Sequence, residues 1–228
     1  MMKRDISVNV PNQFYFNAYS TTACVPISIQ SLFHMYEALV EHGEMLSDEQ
    51  WHKVLENGSI LWRRWKALPG NEKHQIPTLY EILAMDESRT FNRKFGTQPL
   101  DYGGLVKHTV GCSDGSDSLL AMVQELTKQT KPACALVILP VNICISLVCR
   151  RDKNTPNGYA IFMFDSHGKK ATRVCELVQF YDYRLVVTHL IEKYDIRSFD
   201  RLSRATHPSC SETEIATDYG YHALLFVQ

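Results

Sequence analysis

From Val25 to Glu41 the apolar positions Ile29, Leu32, Phe33, Tyr36, Leu39 and Val40 recur at i, i+3 and i+4, the spacing of one helical face. Pro26 falls in the first turn of that helix, where a missing N–H is tolerated, and Gly43 stands just past its end as a C′ residue. Residues 1–23 show no such period. They read as an extended lead-in that alternates polar and aromatic positions through Gln13, Phe14, Tyr15, Phe16, Asn17 and Tyr19. The change of pattern therefore places Cys24 at the N-terminus of a buried helix. A second helix is predicted from Ser47-Asp48-Glu49-Gln50, a capping-box sequence, through Trp51, Val54 and Leu55. Asn57-Gly58 is expected to break it before a further segment, 60–68, that carries Leu61, Trp62 and Trp65. Pro69-Gly70-Asn71 stops that segment. A short helix follows over 77–85, and 86–115 reads as irregular. Another helix is predicted over 117–128, with Leu119, Leu120, Val123 and Leu126 inward.

Beyond this point the period becomes that of strands. Segments 133–139 and 143–151 are apolar runs rich in Val and Ile, 152–158 is a turn cluster, and 159–165 is a third strand. A fourth is placed at 172–177. Segment 181–194 returns to helical spacing, with Leu185, Val186, His189, Leu190 and Tyr194 on the inner side, and 221–227 closes the set as a fifth strand. Helices first and hairpin-linked strands after imply an α+β fold: N-terminal helices followed by a mainly antiparallel sheet of about five strands. With no repeat, low-complexity tract or linker, residues 1–228 are expected to form one domain.

Composition narrows the function classes. The chain has 228 residues, 45% hydrophobic and 21% charged, enough to bury a core without covalent staples. Its net charge is −1, so it lacks the cationic excess of a general nucleic-acid binder. The N-terminal charges Lys3, Arg4 and Asp5 have no apolar run behind them, as a signal peptide would require. No stretch approaches the roughly 20 apolar residues of a membrane span. There are seven cysteines, Cys24, Cys112, Cys134, Cys144, Cys149, Cys175 and Cys210, an odd number with no CxxC pair or zinc spacing. The expectation is a soluble protein of a reducing compartment, cytoplasm or nucleus, with most cysteines serving as small core residues.

Cys24 is set apart by its place. The macrodipole and free N–H groups of a helix N-terminus favour a thiolate, and the same N–H groups can serve a developing oxyanion. A nucleophilic cysteine also needs a base, and the base an orienting group. Asp165-Ser166-His167 ends the apolar strand Ala160-Ile161-Phe162-Met163-Phe164, and residues i and i+2 of a strand project to one side. Asp165 would then fix the tautomer of His167. His222 competes as base but reads as a satisfied core histidine between Tyr221 and Ala223. His34 and His189 read as packing residues on helices, His42 and His52 as solvated. Metalloprotease, serine-hydrolase and nucleotide-loop motifs are absent, and neither metal nor cofactor is expected.

The order of these residues resembles a known family. A cysteine opening the first long helix, and a late apolar strand ending Phe164-Asp165-Ser166-His167-Gly168, look like the herpesvirus large tegument protein deubiquitinases and their cellular viral-tegument-like relatives. In that papain-like family Asp and His share one strand, with Asp two residues before His. Two departures stand out. Ser166 occupies a position where the herpesvirus motif commonly has Pro. Gly168 follows the histidine where many other deubiquitinases carry an aromatic residue. The resemblance implies a papain-like thiol protease that hydrolyses the bond after the C-terminal glycine of ubiquitin, with ubiquitin and polyubiquitin chains as partners. It casts Cys24 as nucleophile, His167 as base and Asp165 as orienter. It also calls for a side-chain amide to complete the oxyanion hole. Asn12, Gln13 and Asn17 are the amides in reach, with Gln13 favoured. Acidic residues Asp114 and Asp117, and one of the three tryptophans, are candidates for partner contact. The alternatives are an inert ubiquitin-binding module of the same fold, and a Cys-His-Asp acyltransferase.

Overall fold

The structure, a computed structural model, describes residues 3–16, 22–74, 76–85, 89–95, 99–105, 119–140, 143–168, 173–196 and 220–227. Its frame is a seven-stranded sheet in the order β1-β6-β5-β4-β3-β7-β2, antiparallel at every pairing. The strands are β1 (Lys3–Ile6), β2 (Leu100–Leu105), β3 (Ala133–Leu139), β4 (Ile143–Arg151), β5 (Tyr159–Asp165), β6 (Glu176–Phe180) and β7 (Gly220–Val227). The helices are α1 (Gln13–Phe16), α2 (Cys24–Tyr36), α3 (Asp48–Lys66), α4 (Leu79–Leu83), α5 (Arg89–Phe95), α6 (Leu119–Lys128) and α7 (Tyr183–Tyr194).

Both faces of the sheet are covered, which explains why β3, β4 and β5 read as continuous apolar runs rather than alternating ones. The alternation survives as a sorting between two cores. On β5, Ala160, Phe162 and Phe164 pack with α2 through α5, while Ile161 and Met163 pack with α6 and α7.

The antiparallel α+β reading agrees with this architecture, but the sheet has seven strands rather than about five. The two that were missed are its edges. β1 is Lys-Arg-Asp-Ile, and β2 contains Gly103 and Gly104. Edge strands need no apolar run, and charge on them discourages further pairing. The lead-in is correspondingly not merely extended, since it holds β1 and α1, and the region taken as irregular holds α5 and β2. The fourth strand lies at Glu176–Phe180 rather than 172–177, its pattern obscured by the buried polar residues Glu176 and Gln179. The helix predicted over 117–128 begins its described part at Leu119, and Leu120 faces outward instead of inward. The loop with Asp114 and Asp117 lies outside the described residues, as do Cys112 and Cys210.

α3 runs unbroken from Asp48 to Lys66, capped by the expected Ser47–Gln50 box. Gly58 does not interrupt it. A Cβ at that position would lie 2.6 Å from the Cα and Cγ1 of Ile27, so the backbones of α3 and α2 approach closely at Gly58. Past Tyr36, α2 widens into a π turn (Glu37–His42) and ends at Gly43, whose φ of 72° is the left-handed conformation of a helix C-cap. Trp51 of α3 stacks on Phe164 of β5 with ring centroids 4.3 Å apart, and Trp51 and Trp65 are core residues. Among the described residues, no helix is long and apolar enough to cross a membrane.

Candidate active site

Cys24 is the first residue of α2 and is 1% exposed. The N-cap is Ala23, which makes no side-chain bond to the first turn. A helix normally gains about 1 kcal/mol from a Ser, Thr, Asp or Asn there, so this terminus is built without a capping side chain to occupy its N–H groups. Two buried hydroxyls pin α2 to the centre of the sheet. Ser28 Oγ donates to the Cys144 carbonyl at 3.0 Å, and the hydroxyls of Ser31 and Ser146 lie 2.6 Å apart. The neighbouring strand, β5, ends at Asp165.

Asp165 and His167 do meet, though not by strand alternation. The strand stops at Asp165 and the chain turns, with the Gly168 N–H donating to the Asp165 carbonyl at 3.2 Å. Within that turn the backbone N–H of His167 donates to Asp165 Oδ1 at 2.9 Å, and His167 Nδ1–H donates to the same oxygen at 2.8 Å. The turn requires glycine at its close. Gly168 has φ +66°, and a Cβ there would sit 1.8 Å from the Val174 carbonyl oxygen. The His167 ring also interacts with the Cys24 side chain, which favours its protonated form. Thiol, imidazole and carboxylate thus form one interacting series.

Burial alone would pull the His167 pKa down, but the bonds to Asp165 and Cys24 outweigh it and push it up to about 9. Burial likewise opposes the Asp165 carboxylate, yet His167 and Lys193 hold its pKa below the usual carboxylate range. The second oxygen of Asp165, Oδ2, accepts from the Lys193 ammonium and from the Tyr194 hydroxyl, both at the C-terminal end of α7. The sequence reading missed these contacts. Tyr194 was placed on the inner face of its helix, but nothing in the spacing of α7 singles out a carboxylate 28 residues earlier as the target of Lys193.

Of the three amides, Gln13 lies at the site. It is 1% exposed, its N–H donates to the Ser166 carbonyl at 2.9 Å, and its Oε1 accepts from Ser166 Oγ at 2.7 Å. Residues 10–12 deliver it by running antiparallel to 173–175. Cys175 N–H donates to the Val10 carbonyl and Asn12 N–H to the Arg173 carbonyl, at 2.9 and 3.0 Å. Asn12 is buried beside Gly168, its Oδ1 without a hydrogen-bond partner. Asn17 lies outside the described residues. Phe14, 43% exposed, tilts against the His167 ring with centroids 5.8 Å apart.

His222 is not the core histidine its neighbours suggested. It is 38% exposed and bonds Asp101 of the edge strand β2 at 2.8 Å. His34 is partly buried, its pKa lowered by desolvation, and His42 and His52 are exposed. The remaining described cysteines behave as core thiols. Burial pushes Cys134 and Cys144 well above the ordinary thiol range, and Cys149 and Cys175 up to about 12. Among the described residues no group of three or more His, Cys, Asp and Glu side chains is arranged to hold a metal ion.

Comparison with known proteins adds the fold. No protein-family model matches the chain, and no curated protein sequence does. Among solved structures, it is similar to the ubiquitin-specific protease encoded by a murine cytomegalovirus tegument protein, solved with a ubiquitin-based suicide substrate. The TM-score is 0.63 at 12% identity, covering 97% of this chain and 84% of that one. A match to the Pseudomonas avirulence protein AvrPphB has a TM-score of 0.43 at 13% identity, covering 97% of each chain. The first likeness shows a shared fold across nearly the whole chain.

Proposed function

We propose that this protein is a papain-like thiol protease that hydrolyses the bond after the C-terminal glycine of ubiquitin. The observation that carries the reading is the interacting series Cys24–His167–Asp165 at the start of α2. An inert binding module of this fold has no need of an imidazole held between a thiol and a buried carboxylate. The choice of ubiquitin rests on the fold shared with a ubiquitin-specific protease.

In this reading the thiolate of Cys24 attacks the glycine carbonyl carbon while His167 carries the proton as imidazolium, steadied by Asp165. The carbonyl π electrons move onto oxygen. Donors for that oxyanion are the Cys24 backbone N–H and the Gln13 side-chain amide, whose Oε1 is already engaged by Ser166. As the tetrahedral intermediate collapses, the C–N bond breaks and His167 protonates the departing lysine or α-amine. The glycine is left as a thioester on Cys24. His167 then takes a proton from water as it attacks the thioester, the C–S bond breaks to restore the Cys24 thiolate beside the His167 imidazolium, and ubiquitin leaves with a C-terminal carboxyl group that ionises in solvent.

Steady-state cleavage of a fluorogenic ubiquitin C-terminal amide tests this, beside the same amide on other ubiquitin-like modifiers. Wild type is expected to cleave the ubiquitin substrate in preference. Cys24→Ala and His167→Ala are expected to be inactive, and Gln13→Ala to lose about 10²–10³ in kcat. Folded wild type without turnover on ubiquitin, or Cys24→Ala with wild-type turnover, rejects the reading.

A further inference from the structure

Asp165 and Glu176 face each other directly across β5 and β6, and both side chains are buried, at 0% and 3% exposed. Two carboxylates opposed in this way repel, and burial amplifies the repulsion. One cation lies between them. Lys193 Nζ bonds Asp165 Oδ2 on one side and Glu176 Oε2, at 2.7 Å, on the other. The Tyr194 hydroxyl adds a second donor to Asp165 Oδ2. Glu176 is held in turn by His189 Nε2 at 3.4 Å, and His189 Nδ1 accepts from Lys3 of β1 at 2.9 Å.

The consequence for Asp165 is geometric. Oδ1 takes two donors from His167 and Oδ2 takes two from α7, so the carboxylate is held at both oxygens. A carboxylate held at both oxygens has little freedom to rotate, and with Nδ1–H donating to Asp165 the ring nitrogen left for Cys24 is Nε2. We infer that Lys193 and Tyr194 are positioning residues of the active site, keeping Asp165 ionised and aimed so that His167 presents one tautomer to Cys24. This role rests on the proposed triad, and it extends the site from the β5 turn to the C-terminal end of α7.

The charged and titratable groups around Asp165 are His167 from its own turn, Glu176 from β6, Lys193 and Tyr194 from α7, Cys24 from α2, and the thiols of Cys144 and Cys175. Lys193 competes with His167 for the Asp165 charge. Removing it alone would leave the carboxylate a stronger partner for the imidazolium, and removing Glu176 with it takes away a nearby negative charge and offsets that gain. Two folded variants isolate the effect. Tyr194→Phe deletes one hydroxyl and keeps the ring. The double variant Lys193→Met/Glu176→Gln removes one cation and one carboxylate together, so no unpaired like charges remain to unfold the protein.

The test combines pH profiles of ubiquitin-amide cleavage with NMR titration of His167 in the substrate-free protein. In both variants kcat is expected to fall about 10- to 100-fold, the usual cost of losing a partner that orients a functional histidine. KM is expected to stay within about twofold. In Tyr194→Phe, which takes a neutral donor from Asp165 Oδ2, the His167 midpoint and the alkaline limb of the profile move upward together, while in the double variant the lost cation and lost carboxylate offset and the midpoint moves little. A Lys193 that served only to bridge two carboxylates predicts wild-type kcat in the double variant, and that result overturns the inference, as does wild-type kcat with an unmoved His167 titration in Tyr194→Phe. Should wild type fail to cleave ubiquitin at all, the proposed function falls, and the His167 titration in the free protein decides the positioning role by itself.

Discussion

His167 has a buried carboxylate on Nδ1, a thiol on the far side of its ring and the exposed face of Phe14 against it, and only 12% of its side chain reaches solvent. Its raised pKa links folding to pH. The histidine binds its proton more tightly folded than unfolded, so the stability it contributes is complete below its ordinary value of 6.5 and is lost as pH climbs through about 9. Asp165, held low, contributes above its ordinary 3.8 and loses that contribution as pH falls below it. The melting temperature should therefore be greatest between these values and decline from pH 6.5 to 9. Asp165→Asn should flatten the decline. A wild-type melting temperature flat over that interval contradicts the His167–Asp165 pair as described. The places of Cys24, Asp165 and His167 in the fold were legible in the sequence because each has a local signature, an abrupt helix start and a D-x-H at the end of an apolar strand. Their pairing was assigned to strand alternation, whereas a tight turn closed by Gly168 makes it. Lys193 and Tyr194 were not legible, since a contact between the end of one helix and the end of a distant strand leaves no periodic mark.

At the scale of elements, the position of Cys24 depends on α2 being held from both sides. β4 grips it through Ser28 and Ser31, and α3 presses on it at Gly58. The sequence pattern marked Gly58 as a helix breaker because glycine is a poor helix former. The structure shows the competing demand, which is that no side chain fits between α3 and Ile27. These two views separate experimentally. If Gly58 were a mere weak point, Gly58→Ala would stabilise the helix by about 1 kcal/mol. Close packing against Ile27 instead predicts destabilisation of about 1–3 kcal/mol from overpacking, read as a lowered urea midpoint, together with reduced activity as α2 shifts beneath Cys24. The Ser47–Gln50 capping box was readable because its signal is local, and the long apolar strands and α7 because tertiary packing reinforces theirs. β1, β2 and β6 were missed or displaced because edge exposure and buried polar residues replace the apolar alternation that announces a strand.

At the scale of the molecule, the site draws on parts of the chain far apart in sequence. The N-terminal arm brings Gln13, α2 brings Cys24, the β5 turn brings Asp165 and His167, and α7 closes behind them. The structure shares its fold with a ubiquitin-specific protease at an identity of only 12%. Sequence divergence of that order preserves the arrangement of elements while leaving the chemistry to be established residue by residue. Mass spectrometry of the protein after exposure to ubiquitin bearing a C-terminal electrophile is the most direct test. A single covalent adduct mapped to Cys24, lost in Cys24→Ala and slowed in His167→Ala, is the expected result. A folded protein that remains unmodified, or an adduct that persists in Cys24→Ala, would contradict the proposal that this chain is a cysteine-dependent deubiquitinase.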